Sequence, residues 1–377
     1  MNAPKLPDPI AAARAEAQRI TDNRSQSIDG PVERFFGDCH FVDKDSALDG
    51  ITDFYRESLQ RVPSVAKYPE SKPWVEYRIA LDAELQKASG LSDIQLAVFR
   101  CLDAFTRYRG FMRAKPAQSE KCRIAYLPDS DRGEMHIKNV DDPPTFWKPS
   151  PPLEPEKYER PKMSIDGVGS GMHIDDEPEE IFPLDARNMV FHYADDTPGA
   201  VEFLTRYCPF WSGQNVVIED DQKRSVAIEK CSANFIEVFE PGPTGRSHCS
   251  GMATRDPNSP QGKYQRAKRQ QFLERFDLPV DGSDASFWAA CDKAEQMLAD
   301  CVANLGEPAS FDKLVTTFTT AWPDGLRKTG ALFHPDQALP EYTLYAHLTL
   351  HDERKYMRWQ CNEDLEFQAE PDVADLI

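Results

Sequence analysis

The chain has 377 residues, of which 40% are hydrophobic and 28% charged, an ordinary globular composition with room for one large domain or two. Its 44 basic and 63 acidic side chains leave a formal charge of −19. That charge repels phosphate backbones and anionic lipid and so excludes nucleic acid and membrane surfaces as expected partners.

No apolar run is long enough to span a bilayer, and residues 1–24 carry no apolar signal core. The nine cysteines, at 39, 101, 122, 208, 231, 249, 291, 301 and 361, form no CxxC pair. This pattern points to free thiols in a reducing cytoplasm and gives no support to a zinc or thioredoxin-like site.

Residues 1–30 read as a weakly ordered lead-in. From Asp49 to about Gly110 the apolar spacing is helical, with a stop at Gly90 and a capping box at Ser92 and Gln95. At about Lys115 the period changes. Residues 122–127 and 134–140 read as two strands of a hairpin around the turn Pro128-Asp-Ser-Asp-Arg-Gly133. A Pro-rich connector, 143–161, leads to the Gly-rich strand segment that begins at Met163.

The acidic stretch Asp175 to Glu180 reads as a solvated loop. A helix is expected over 196–207, then strands at 215–219, 225–229 and 234–239. Helices follow over 262–276, 287–305 and 311–318, a strand over 342–350, and a solvated acidic tail from Glu363. Helices first, then many antiparallel strands, with no βαβ rhythm, give an α+β fold.

The segment Cys122 to Asp142 concentrates the chemistry. A cysteine opens a strand, the chain turns at Gly133, and the return strand ends in Asn139-Val-Asp141, so polar groups are expected to converge on the sulfur. This order resembles the penicillin (isopenicillin N) acyltransferase and choloylglycine hydrolase group of N-terminal-nucleophile (Ntn) hydrolases. In that group a catalytic subunit begins with Cys, followed by strand, Gly turn, strand and Asn-x-Asp. The segments Asn215-Val-Val-Ile-Glu and Ser225-Val-Ala-Ile-Glu resemble the group's late hairpin, and residues 342–348 its final strand.

The resemblance implies a four-layer αββα sandwich of antiparallel sheets over 122–377. Residues 1–121 would be a helical pro-segment or small chain. It further implies self-cleavage between Lys121 and Cys122 and a zymogen before that cut. The mature enzyme would then be an amidohydrolase or acyltransferase working through a thioester on Cys122, on a small acyl-amide substrate.

By the same resemblance Asp141 holds the new α-ammonium, and Asn139 and His173 are oxyanion or positioning candidates. His173 follows Gly167-Val-Gly in the place of a customary Asn. Lys121 stands where some members have Gly. Ile137 and Lys138 stand where some carry an Arg. The Thr-Asn-His element is replaced by Ser247-His-Cys-Ser, leaving His248 or Ser250 in its role. Arg266 or Arg269 is the functional Arg of the following helix. The resemblance implies neither cofactor nor metal.

The chemistry is self-consistent. An N-terminal Cys carries its own base, an α-amine with pKa near 7.7–8.0 that is locked in an amide until the chain is cut. Two other readings stand beside it. One is an unprocessed Cys–His hydrolase using Cys122 or Cys249 with His248 or His173. The other is a catalytically silent binding or scaffold module, which the missing Thr-Asn-His element would suit. His347 and His351 lack an accompanying Glu pattern for zinc. Gly167-Val-Gly-Ser-Gly is a weak phosphate loop, and the basic run 263–275 reads as a solvated helix face. Self-association into a homo-oligomer stays open.

Overall fold

In a computed structural model of the chain, the residues described are 8–24, 28–30, 50–57, 70, 72–100, 122–142, 147, 149–154, 159–169, 190–191, 193–207, 214–232, 235–250, 255–256, 258–275, 287–330 and 342–377. Lys121, His173 and the acidic stretch 175–180 lie outside them. The chain forms two compact units. One comprises Met1–Pro116, His173–Ser212 and Ser232–Asn234. The other comprises Ala117–Met172, Gly213–Cys231 and Phe235–Ile377. The first unit thus takes in a segment, His173–Ser212, inside the 122–377 span assigned above to the catalytic domain.

The first unit is helical. Its opening corrects the expectation of a weakly ordered lead-in: α1 runs Pro9–Asp22. Asp8 caps it, accepting from the Ile10 amide at 3.1 Å, and Pro9 occupies the first turn, where a missing N–H costs nothing. Ala13, Ala17 and Ile20 recur at helical spacing and are buried.

Helix α2, Lys72–Ser89, stops where Gly90 adopts a φ of +65°. Ser92 and Gln95 then close the expected capping box reciprocally, at 3.1 and 3.3 Å. Phe54, Tyr55, Leu85, Leu91 and Leu96 join the α1 residues in one core. Within this unit lies a buried charge cluster. Asp82 accepts from Tyr55 Oη at 2.7 Å and from Arg78 Nε and Arg100 Nε at 2.9 Å each. Arg100 also grips Glu16 at 2.7 Å. A short helix α3, Thr197–Glu202, capped by Asp196, continues into a π-helical turn, Phe203–Tyr207. Phe203 there meets Trp74 edge-on at 4.7 Å.

Among the described residues, the second unit contains two antiparallel sheets, and strands β1 (Arg123–Ser130), β2 (Gly133–Asp142), β3 (Met163–Gly169), β4 (Gln214–Asp220), β5 (Ser225–Ser232), β6 (Phe235–Phe239), β7 (Ser247–Ser250), β8 (Tyr342–Leu350), β9 (Lys355–Gln360) and β10 (Asp372–Asp375) alternate with three helices. These are α4 (Pro260–Arg275), α5 (Phe287–Ala303) and α6 (Phe311–Thr319). One sheet has the order β10-β9-β8-β2-β1-β7, the other β3-β4-β5-β6.

The structure adds strands that the sequence reading lacks: Ser247–Ser250 forms one, and the tail, expected to be solvated, carries β10, where Asp372–Asp375 pairs with β9. The expected turn also shrinks. Pro128 stays within β1 at a register irregularity between Leu127 and Ser130, a place where a strand tolerates Pro, and only Asp131 and Arg132 turn.

Each face of the six-stranded sheet has its own core. Ala125, Leu127, Met135, Ile137, Ala346, Leu348 and Leu350 pack on Ala294 and Leu298 of α5 and Leu314 and Phe318 of α6. The opposite face, through Ile124 and Tyr126, meets Val168, Val217 and Ala227 of the second sheet. Helix, sheet and sheet are therefore layered, and α4 contacts β6 of the second sheet. The α+β class and the stacked antiparallel sheets expected from the sequence are present.

Candidate active site

Cys122 immediately precedes β1 and is half-buried, with a φ of +50°, a left-handed conformation that side chains with a Cβ rarely adopt. Beyond it β1 runs between two partners. Arg123 pairs with Asn139 of β2 on one side and Ser250 of β7 on the other, and Ile124 pairs with Lys138 and Cys249. Successive strand residues face opposite ways. Cys122 packs with Ile124, Tyr126, Val168, Val217 and Cys249, so it belongs to the layer between the sheets. Arg123, Asn139 and Ser250 share the helix-facing side.

This alternation sorts the expected site residues. Asn139 neighbours Cys122 through the strand pairing, but its side chain leaves the other face and donates from Nδ2 to the Phe318 carbonyl at 2.9 Å. Asp141 is fully buried. It accepts from Arg123 Nη1 at 2.7 Å and Thr343 Oγ1 at 2.6 Å, with Lys328 Nζ at 3.7 Å. It is therefore bonded to the residue directly after Cys122, inside a cluster of two buried cations.

On the sulfur's own face, Lys138 donates to Asp166 Oδ1 and, at 3.2 Å, to the Gly167 carbonyl. Next along β2 on that face, His136 lies between Asp166 Oδ2 and Glu219 Oε2, 3.2 Å from each. Burial opposes a charge on this ring. The Glu219 charge and the hydrogen bonds to Asp166 and Glu219 outweigh it and raise the imidazole to about 10. Burial also disfavours charge on Asp166, yet His136 and Lys138 hold it well below the ordinary carboxylate range. His347 of β8 pairs with Lys138, and burial together with repulsion from His136 lowers it to about 4, so it is neutral.

The remaining candidates fall into place around this hairpin. Ser250 is buried on the helix side, and its carbonyl accepts from Asn215 Nδ2 at 2.7 Å. Cys249 and His248 are consecutive strand residues facing opposite layers. Cys249 is fully buried, and desolvation pushes its thiol well above the ordinary range, while His248 lies 3.5 Å from Glu295. Those two side chains do not form a nucleophile–base pair. Arg266 is exposed on α4, and Arg269 lies on the same helix.

Arg123, His136 and Asp166 are site neighbours that the sequence reading did not single out, and Asn215 entered it only through the late hairpin. For two of the three a signal exists: His136 alternates with Lys138 along one strand, and Asp166 directly precedes Gly167-Val-Gly. Among the described residues, His136, Asp166 and His347 also bring metal-ligand atoms together.

In comparisons with known proteins, no family model and no curated protein matches the sequence. Among solved structures, the chain is similar to a mutant of the conjugated bile acid hydrolase from Clostridium perfringens. That pair shows 10% identity and a TM-score of 0.32, over 67% of this chain and 84% of that one. A second variant of the same hydrolase gives 10%, 0.31, 67% and 85%. The chain is likewise similar to penicillin V acylase from Agrobacterium tumefaciens, at 11% identity and a TM-score of 0.31, over 63% of this chain and 82% of that one.

Proposed function

We propose that the chain is an autoprocessed cysteine amidohydrolase or acyltransferase, with Cys122 as nucleophile once the Lys121–Cys122 bond is broken. The observation that carries the reading is Cys122 itself: a half-buried cysteine immediately before a sheet strand, with its backbone in the left-handed region. Such a φ costs about 1–2 kcal/mol for a residue with a Cβ. That strain lies at the residue whose N-terminal peptide bond the reaction would break.

In the first step the thiol attacks the Lys121 carbonyl, the C–N bond breaks, and a thioester forms while the nitrogen becomes a free amine. Water then hydrolyses the thioester. In the mature enzyme this amine takes the thiol proton, the thiolate attacks the substrate amide, and the proton is delivered to the departing amine. The resulting acyl-thioester passes to water or to an acceptor amine. Asp141, bonded to the neighbouring Arg123, is the carboxylate suited to hold the ammonium. Asn139, fixed to the Phe318 carbonyl, suits a positioning role better than donation to an oxyanion. Lys138 shares the sulfur's face and suits a role toward the substrate or the oxyanion.

Intact-mass measurement of wild type beside Cys122→Ala tests this. The expected wild type is two chains, 1–121 and 122–377, with Cys122 N-terminal, and the variant stays whole. A wild type that remains one chain, with Cys122 inert to iodoacetamide at neutral pH, overturns the reading.

A further inference from the structure

Three side chains from three strands meet in the second unit: His136 of β2, Asp166 of β3 and His347 of β8, each offering a ligand atom within 4.8 Å of the other two. We propose that they bind one divalent transition-metal ion of the zinc type, joining β3 of one sheet to β2 and β8 of the other. No step of the acyl chemistry of Cys122 runs through this site, although Lys138 borders both.

The spacing fits the chemistry. An ion bound at about 2.0–2.2 Å by nitrogen and oxygen in a tetrahedral shell sets its ligands about 3.3 Å apart. His136 Nε2 and Asp166 Oδ2 are 3.2 Å apart. Two imidazoles and one carboxylate are the donor set that zinc and its borderline neighbours favour, and three protein ligands leave a fourth position for water or a small ligand.

Each ligand is oriented from behind. His136 Nδ1 faces Glu219 Oε2 at 3.2 Å, the carboxylate–histidine arrangement that turns the opposite nitrogen toward a metal. Asp166 Oδ1 accepts from Lys138 and from the Gly167 amide at 2.8 Å, which leaves Oδ2 for the ion. The His347 ring lies 5.9 Å from the rings of both Tyr345 and Tyr356 and makes no hydrogen bond among the described residues.

The charges balance in the ion's favour. Asp166 and Glu219 outweigh Lys138 by one negative charge, which favours a cation between them. The side chain of Asp166 is 22% exposed, which gives an ion a way in.

Chelator-stripped protein titrated with Zn(II), and separately with Co(II), tests the site by calorimetry, metal analysis and visible absorption. One ion per chain is expected, with the absorption of a four-coordinate Co(II) centre and no thiolate charge-transfer band. Asp166→Asn and His347→Gln are expected to weaken binding at least about tenfold. Cys122→Ala is expected to bind like wild type, so failure of the acyl chemistry leaves this result unaffected. Far-UV circular dichroism of the metal-free variants verifies that they fold. Absence of saturable binding in wild type overturns the proposal. So does equal binding by folded Asp166→Asn and His347→Gln, or binding that vanishes with Cys122→Ala.

Discussion

Cys122 combines a half-buried position between the sheets with a left-handed backbone. The strain of that conformation is removable. Uncut Cys122→Gly should exceed uncut Cys122→Ala in stability by about 1 kcal/mol, because glycine populates positive φ without a Cβ penalty. Thermal unfolding of the two precursors measures it, and equal midpoints would show that no strain is stored there. Asp141 belongs to the same neighbourhood but has a second duty, since it neutralises Arg123 and Lys328 where neither meets water. Removing its charge leaves two buried cations uncompensated. Asp141→Asn should therefore cost about 3–5 kcal/mol of the second unit's stability as well as amide turnover. Denaturant titration separates the two losses: a variant of wild-type stability but no activity would assign Asp141 wholly to catalysis.

Among the elements, the β1–β2 hairpin decides the site, because its register sets Lys138 opposite Ile124 on the sulfur's face and Asn139 opposite Arg123 on the other. That register depends on the tight turn. Gly133 has a φ of +84°, and a Cβ there would stand 2.4 Å from Asp352 Oδ2. Gly133→Ala should destabilise through both the dihedral and the clash. In a double-mutant cycle with Asp352→Gly, which removes the Oδ2 at 2.4 Å and also the Cβ at 2.8 Å, the steric part should be recovered and about 1 kcal/mol of the dihedral part should remain. Strict additivity of the two substitutions would count against the clash.

The hairpin was also the most legible part of the sequence, since Cys122, Gly133 and the two alternating runs mark it without outside help. Helices with explicit punctuation, such as the one ending at Gly90 or the one opening at Ser92, were equally readable. Other elements lacked such marks. Ser247-His-Cys-Ser is too short to show a period, and it becomes a strand because β1 offers it a free edge. The segment Pro9–Asp22 has Ala at two of its core positions, so its apolar stripe is faint until packing reveals it. Which face Asn139 occupies follows from pairing with Arg123, and His136, Asp166 and His347 meet only because three strands bring them together. Neither fact has a signature within one stretch of chain.

On the scale of the whole molecule, each of the two units encloses charged groups as well as apolar ones, and acid should reveal this. In the first unit burial opposes ionisation of Asp82, yet Arg78, Arg100 and the Tyr55 hydroxyl hold its carboxyl below the ordinary range. A depressed carboxylate stabilises the fold above its unfolded pKa near 3.9, and that contribution disappears as pH falls through the lower folded value. Asp82→Asn should thus cost about 3–5 kcal/mol at neutral pH, and the gap to wild type should narrow progressively below about pH 4. Calorimetry across pH measures the gap. A gap of constant size down to pH 2 would rule out the charge as its source.

The six-stranded sheet terminates at both ends in four-residue strands, Ser247–Ser250 on one side and Asp372–Asp375 on the other. Exposed strand rims are where foreign chains add on and fibrils start, and brevity together with negative charge is a defence against that. The two aspartates of the last strand place negative charge on that rim. A chain cut back to Gln360 would present the Lys355–Gln360 rim to its neighbours, and light scattering at high concentration should register the loss of colloidal protection.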